Sequence, residues 1–336
     1  MKIWFNHWFS TAYHLIEMIK KGEPGKYTVI GSNEKSTSVY QCACDEWYSE
    51  PAGVTDEEYV SFCLSFCREH NVDIFAPRKG ILAISRAHEK FEELGVRLLV
   101  DSNYEIISML EDKIATYDYL KNVIPAYIPE YRKICSLEEF LESYEDLSTR
   151  HPRICYKLIE DEGARSFRVI DDEIESIRGV LEKPGSKITL EAAKKVLSLY
   201  DFSIPILMMP YLGGCEVSVD CIRTKSGNLI LPRYKTSKRY SEIKFSEEMM
   251  NTCSNIMDFL ALDHPMNIQF KKSGDQYYLL EINPRMSGGL QLSCLAAEIN
   301  MPDIAVSALC GIDKPWKYPE FSSRKVVHLE TPVCLD

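Results

Sequence analysis

Residues 279–289 read LLEINPRMSGG. An apolar run meets polar residues at every second position, Glu281, Asn283 and Arg285, and then runs into Ser287-Gly288-Gly289. Side chains alternate faces along a strand, so an extended reading puts Glu281, Asn283 and Arg285 on one face and Leu280, Ile282 and Pro284 on the other. Upstream, MNIQF at 266–270 reads as a second short strand. If Ser273-Gly274-Asp275 make the loop between the two, Asn267 lies across from Glu281, with Gln269 diagonal to it on the same face. One hairpin then presents Gln269, Glu281 and Asn283 together. A strand with one wet face shows the same alternation, and that plain reading stands beside the functional one here. Two amide oxygens and a carboxylate are hard ligands suited to Mg²⁺, which takes few protein groups and completes its shell with water and phosphate oxygens. Arg285 adds a guanidinium able to hold phosphate or carboxylate oxygens in pairs, and the glycines let an anion or substrate approach the backbone.

A chain of 336 residues exceeds one ordinary core, so two domains are expected. With 45% apolar and 26% charged residues it falls among soluble globular proteins. A net charge of -11 argues against nucleic acid or an anionic membrane as partner, since both need a basic footprint. No run of about 18 apolar residues occurs, so no spanning helix is expected. The opening residues 1–21 carry Asn6, His7, His14 and Glu17 and no small-residue cleavage site, unlike a signal peptide. The 12 cysteines include no Cys-x-x-Cys pair, and Cys42/Cys44 and Cys63/Cys67 lack histidine partners at ligand spacing. Reduced thiols and a cytoplasmic location are expected.

The chain reads as α/β, with α+β character in its C-terminal part. Strand patterns at 2–5, 27–31, 73–77 and 96–100 alternate with helical patterns at 11–21, 56–70 and 86–94, which implies an open parallel α/β lobe. Thr55-Asp56-Glu57-Glu58 has the form of a capping box. A dinucleotide site would need Gly-x-Gly-x-x-Gly after the first strand. Phe5 instead leads into Asn6-His7-Trp8-Phe9-Ser10, and the early turn glycine is Gly31, which sets that reading aside. One helical stretch at 104–121 carries Glu111-Asp112-Lys113, before Pro125 and Pro129 break the pattern. From 131 a second lobe follows: a strand, a helix after the Ser136 capping box, strands at 153–159 and 166–170, and a helix at 190–200. PILMMPYLGGCEVSVDCI at 205–222, a polar hairpin-like region to 245 and a helix at 247–260 lead to the opening stretch. Residues after Pro315 read as extended, without a role.

The string Leu280-Glu281-Ile282-Asn283-Pro284-Arg285, preceded by Asn267-Ile268-Gln269-Phe270, resembles the metal-binding segment of ATP-grasp enzymes. Its Gln-Glu-Asn form is similar to that of carbamoyl phosphate synthetase and its relatives. More faintly, Ile3-Trp4-Phe5-Asn6 and Glu111-Asp112-Lys113 resemble ATP-grasp proteins of tellurite-resistance-type biosynthetic operons. The resemblance implies an ATP-grasp fold with a pre-ATP-grasp lobe at 1–110, a linker helix at 111–130, a lid at 131–210 and a metal- and substrate-binding subdomain at 211–336. Lys113 and Lys157 resemble the family's two phosphate lysines, although a lone lysine is more often a solvated surface group. Met208 to Asp220 resembles the adenine hinge, which implies Met209, Tyr211 and Leu212 at the base and Glu216 at the ribose; ordinary core is the plain reading of the methionines. The lid loop departs from the family pattern. EDEGARSFRVI at 160–170 has Gly163 as its only glycine, leaving Ser166 and the backbone near Gly163 to touch phosphates. Arg165 and Arg168 add charge there, or balance Glu160-Asp161-Glu162. In the basic stretch 232–244, Arg233, Lys235 and Lys238 are further candidates to face phosphates or an anionic substrate.

The function implied is an ADP-forming carboxylate–amine ligase using ATP and Mg²⁺ (or Mn²⁺). Gln269, Glu281 and Asn283 would hold the metal, Lys113 and Lys157 the phosphates, and Arg285 the transferring phosphoryl group, with Ser287, Gly288 and Gly289 at the substrate. The partners are small-molecule acids and amines, and the family's habits include a homodimer. A nucleotide-binding module without ligase activity, suggested by the glycine-poor lid, and a carboxy-phosphate-forming enzyme like carbamoyl phosphate synthetase stand as alternatives.

Overall fold

The computed structural model describes residues 1–160, 165–172, 185–237, 239–329 and 332–335. Asp161, Glu162, Gly163 and Lys238 lie outside the described residues. Two compact units are formed, one from Met1–Leu110, Cys215–Gln269 and Ile282–Asp336, the other from Glu111–Gly214 and Phe270–Glu281.

The first unit opens with a parallel sheet in the order β3-β2-β1-β4-β5, made of β1 (Lys2–Asn6), β2 (Thr28–Asn33), β3 (Glu46–Ser49), β4 (Ile74–Ala76) and β5 (Arg97–Leu98). Alternation along β1 feeds two cores. Ile3 and Phe5 pack with Leu15 and Ile19 of the helix Ala12–Gly22, while Trp4 packs with Phe66 of the helix Asp56–His70. Helices on both faces are why Ile3-Trp4-Phe5 of β1 and Ile74-Phe75-Ala76 of β4 are apolar on both sides. Trp4 stacks between Phe66 and Phe75 at centroid distances of 4.3 and 4.1 Å, and its indole N–H donates to Ser32 Oγ at 2.6 Å. The capping box at Thr55 forms in both directions: Glu58 N donates to Thr55 Oγ1 and Thr55 N to Glu58 Oε2. Thr55→Ala is therefore expected to cost about 1 kcal/mol, read as a lower denaturation midpoint at unchanged slope.

At the carboxyl end of β1, Asn6 accepts from Arg78 N and donates to Lys79 O and Tyr59 OH. These bonds tie the chain after β1 to the chain after β4, where a doubly wound sheet would open its cofactor crevice. Gly31 lies inside β2, and a Cβ there would come within 2.5 Å of Cys44 Sγ, so it serves packing rather than a phosphate turn.

Several elements differ from the sequence pattern. The helical stretch at 104–121 is two helices, Tyr104–Glu111 and Lys113–Leu120, because the Asp112 side chain caps a new start by accepting from Ile114 N and Ala115 N. The helix at 86–94 is likewise Ile81–Arg86 and His88–Glu93.

The second unit holds a sheet in the order β6-β10-β7-β8-β9: β6 (Arg132–Ile134), β7 (Ile154–Leu158), β8 (Arg168–Ile170), β9 (Lys187–Ile188) and β10 (Ile206–Pro210). Ile154, Tyr156, Ile206 and Met208 pack with Phe140 and Ala193 of the helices Leu137–Ser148 and Leu190–Leu197. Cys155, Lys157, Leu207 and Met209 alternate with them and share the opposite face, with Lys157 paired to Leu207 and Met209 to Cys155.

A third sheet runs β15-β14-β11-β12-β13-β16, from β11 (Glu216–Thr224), β12 (Gly227–Lys235), β13 (Ser241–Ile243), β14 (Met266–Ser273), β15 (Gln276–Asn283) and β16 (Arg324–Val326). The division between units passes through the β14–β15 hairpin. The turn of that hairpin is one residue shorter than the sequence reading assumes: Ser273 ends β14, and Gly274-Asp275 alone make the turn, with Gly274 at φ 58°. The pairing of Asn267 with Glu281 rests on the longer loop. The tail read as roleless supplies β16, which pairs antiparallel with β13. Among the described residues no single helix is long and apolar enough to cross a membrane; Leu290–Ala297 and Met301–Leu309 pass together but bend by 103° and are largely buried. Among the described residues no cysteine is in a disulfide.

Candidate functional site

In the second unit the first helical turn after the Asp112 cap places Lys113 inward, where it is 6% exposed. Its Nζ donates to Ile159 O at 3.2 Å and stands 3.7 Å from Glu281 Oε2. One turn on, Tyr117 is fully buried and donates its hydroxyl to Leu280 O at 2.9 Å, holding the backbone beside Glu281. Burial, and after it the Glu281 charge, keeps that phenol protonated as a donor. The sequence reading assigned Lys113 and Glu281 to separate ligand sets, and the structure brings them together.

Lys157 and Met209 lie on the sheet face away from the helical core. Burial pushes the neighbouring Cys155 thiol up to about 12, against the pull of Lys157 and Lys271, so it is no nucleophile. Ser166 Oγ accepts from Leu158 N at 2.9 Å and ties the loop to the end of β7. Arg168 donates to Phe167 O and Arg165 O, so its guanidinium braces its own loop, while Arg165 is exposed. In the stretch read as a hinge, Met209 and Leu212 are buried, and Tyr211 N donates to Arg153 O at 2.9 Å. Gly214 is required by a close approach, since a Cβ would come 2.5 Å from Lys272 O.

The first unit carries the other candidates. Glu216 begins β11, pairs across the ladder with Lys235 and forms an ion pair with it. Gln269 donates its Nε2 to Asn267 Oδ1 at 3.1 Å, a bond that does not use its carbonyl oxygen. Asn283 Oδ1 accepts from Arg285 Nη2 at 3.3 Å, and Arg285 sits over the Phe9 ring at 5.9 Å. Of the proposed metal set, Gln269 and Asn283 belong to the first unit and Glu281 to the second. Among the described residues no group of three or more His, Cys, Asp or Glu gathers. A metal here has amide oxygens and a single carboxylate to use, a donor set that fits Mg²⁺ sharing its shell with phosphate and does not fit zinc.

Sequence reasoning missed a buried network beneath this face. Asn267 donates to Asp220 Oδ1 at 2.9 Å and Ser218 Oγ at 3.0 Å; Ser293 Oγ donates to Asp220 Oδ2 at 3.0 Å. Arg233 donates to Ser218 and Ser293 and is 5% exposed, so it is a buried strut and not the phosphate-facing cation that the basic stretch suggested. Burial raises the Asp220 carboxyl, while Arg233 and the hydrogen bonds from Ser287, Ser293 and Asn267 oppose that shift. A Cβ on Gly289 would fall 2.3 Å from Arg233 Nη2, so a side chain there would displace the Arg233 guanidinium. Gly288 lies against Thr11 and Phe9, and Ser287 Oγ accepts from Gly289 N at 3.2 Å. A chain of side chains thus runs from Gln269 through Asn267, Asp220 and Arg233 to Gly289. The signal was present in EVSVD, whose polar residues 216, 218 and 220 share one strand face.

A family model described as ATP-grasp in the biosynthetic pathway with Ter operon matches residues 203–332. The arginine-specific large chain of carbamoyl phosphate synthase from Halalkalibacterium halodurans is 22% identical over 298 residues, covering 84% of this chain and 26% of that one. The chain spans about a quarter of the length of the curated relatives it matches. Among solved structures, an ADP complex of N5-carboxyaminoimidazole ribonucleotide synthetase superposes with a TM-score of 0.68 at 13% identity, over 93% of this chain and 77% of that one. An L-amino acid ligase from Bacillus licheniformis gives 0.64 at 12% identity, over 92% and 74%. At such identities the likeness is one of fold.

Proposed function

Because the chain belongs to the ATP-grasp superfamily, we propose that it is an ATP- and Mg²⁺-dependent carboxylate–amine ligase that forms an acyl phosphate and releases ADP. The observation that carries this reading is the buried Lys113 ammonium beside the Glu281 carboxylate. A bare divalent ion at Glu281 would be repelled by Lys113, whereas a polyphosphate satisfies both, so the pair suits a metal that arrives with nucleotide. Gln269, Glu281 and Asn283 would hold Mg²⁺, whose chemistry there is to neutralise and orient the phosphates. Lys113 and Lys157 balance the remaining phosphate charge, with Ser166 at the edge of the lid loop. Met209, Tyr211 and Leu212 line the base slot, and Glu216 takes the ribose hydroxyls in place of Lys235. Arg285 stabilises the phosphoryl group as the substrate carboxylate attacks it, and Ser287, Gly288 and Gly289 hold that substrate. An amine then displaces phosphate. No side-chain nucleophile is needed, because positioning and electrostatics supply the rate in phosphoryl transfer.

The test incubates the chain with ATP, Mg²⁺ and a panel of amino acids and bicarbonate, with hydroxylamine as trap. Acid-dependent ADP release with a matching hydroxamate is the expected result, and bicarbonate as the sole active acid would favour carboxy-phosphate chemistry. The second reading, a nucleotide-binding module without ligase activity, draws on Arg168, whose bonds to its own loop leave it poorly placed to replace lid glycines. Tight ADP binding without stimulation by any acid in the panel would favour it.

A further inference from the structure

A groove of about 520 Å³ lies in the first unit, and its lining includes none of the residues given a role above. The helix Ala12–Gly22 lines it with His14, Glu17, Met18 and Lys21, spaced to share one helical face. The helix Leu290–Ala297 answers with Gln291, Cys294 and Leu295 at the same spacing, and Val327 lies alongside. The volume falls within the roughly 300–1,000 Å³ of small-molecule sites.

Gln291 points to the ligand. The residue is 8% exposed, and its Oε1 and Nε2 are both buried with no hydrogen-bond partner. Leaving both ends of a buried carboxamide unpaired is costly, and native structures rarely keep such a group without a purpose. Gln291 is itself part of the groove's lining, so its amide is within reach of a ligand there. A carboxamide offers a donor and an acceptor side by side, complementary to the C=O and N–H of another amide. The charged side chains of the lining are paired, Lys21 with Glu17 and Glu298 with Arg324, and burial, with His328 after it, lowers His14 and so favours its neutral form. Met18, Leu295 and Ile299 provide apolar wall, and Leu295 is 69% exposed.

We propose that this groove binds a small neutral amide with an apolar side chain, the size of a capped amino acid or dipeptide, through paired hydrogen bonds to Gln291. The site uses none of the residues assigned to phosphoryl transfer, so its failure would leave the ligase reading standing.

N-acetyl-L-leucinamide is the probe, titrated by calorimetry into the wild-type chain and into Gln291→Met. Saturable binding is expected in the wild type and a loss of about tenfold or more in affinity in the variant. Free Gln291→Met should melt about 2–4 °C higher, because an unpaired polar group has been replaced by an apolar one of similar length. The proposal is overturned by no saturable binding up to about 10 mM, by equal binding in the variant, or by a lower melting temperature of free Gln291→Met. It is also overturned if Leu295→Arg converts a dimer to a monomer in light scattering, since a second copy would then cover the groove.

Discussion

Glu281→Ala is expected to lower Mg²⁺-dependent ADP formation by about 10²–10³-fold, the usual effect of removing a group that stabilises charge in a transition state. The carboxylate is the only charged member of the proposed metal set, so its loss leaves amide oxygens, which hold a divalent ion weakly without it. Lys113 complicates the variant, because its buried ammonium loses the carboxylate 3.7 Å away. Glu281→Gln retains an acceptor for Lys113 while removing the charge. Parallel loss of activity in both variants, with unchanged denaturation midpoints for Glu281→Gln, would assign the effect to charge rather than folding. Normal turnover in either would remove Glu281 from the metal set.

Asp220→Ala is expected to destabilise the chain by about 3–5 kcal/mol, the cost of stranding one member of a buried charge pair. Arg233 is the member left behind, bonded to Ser218 and Ser293 and packed on the Gly289 backbone. Burial raises the Asp220 carboxyl and Arg233 opposes that shift, so the cost is that of leaving Arg233, Asn267 and Ser293 without the carboxylate they face. Asp220→Asn keeps an acceptor for Ser293 and should fall between the two, as read by urea denaturation. A change under about 0.5 kcal/mol in Asp220→Ala would mean the network is ornamental.

Local signals were legible in the sequence, and signals that depend on distant partners were not. The capping box at Thr55 forms as written because it needs only residues three apart. At Ser136 only half of it forms: Ser136 Oγ accepts from Glu139 N, and the Glu139 carboxylate accepts from Cys135 N instead of Ser136 N. Trp4 and Phe5 mark a central parallel strand because both of its faces are apolar. Arg233 was misread because a basic stretch looks solvated until the β11–β12 register sets it opposite Ser218. The helix break at Asp112 was hidden because one residue serves both as a helical position and as a cap. The edge strand β16 has only three residues and exists through its pairing with β13, which no local pattern announces.

The central claim is that Glu281, next to Lys113, takes a metal only together with nucleotide phosphate. Mn²⁺ binding followed by electron paramagnetic resonance, with and without ADP, in wild type and in Glu281→Ala, tests it directly. The wild type should bind Mn²⁺ weakly alone and much more tightly with ADP, and Glu281→Ala should lose the gain. Equal Mn²⁺ affinity with and without ADP, or an undiminished gain in Glu281→Ala, would contradict the account.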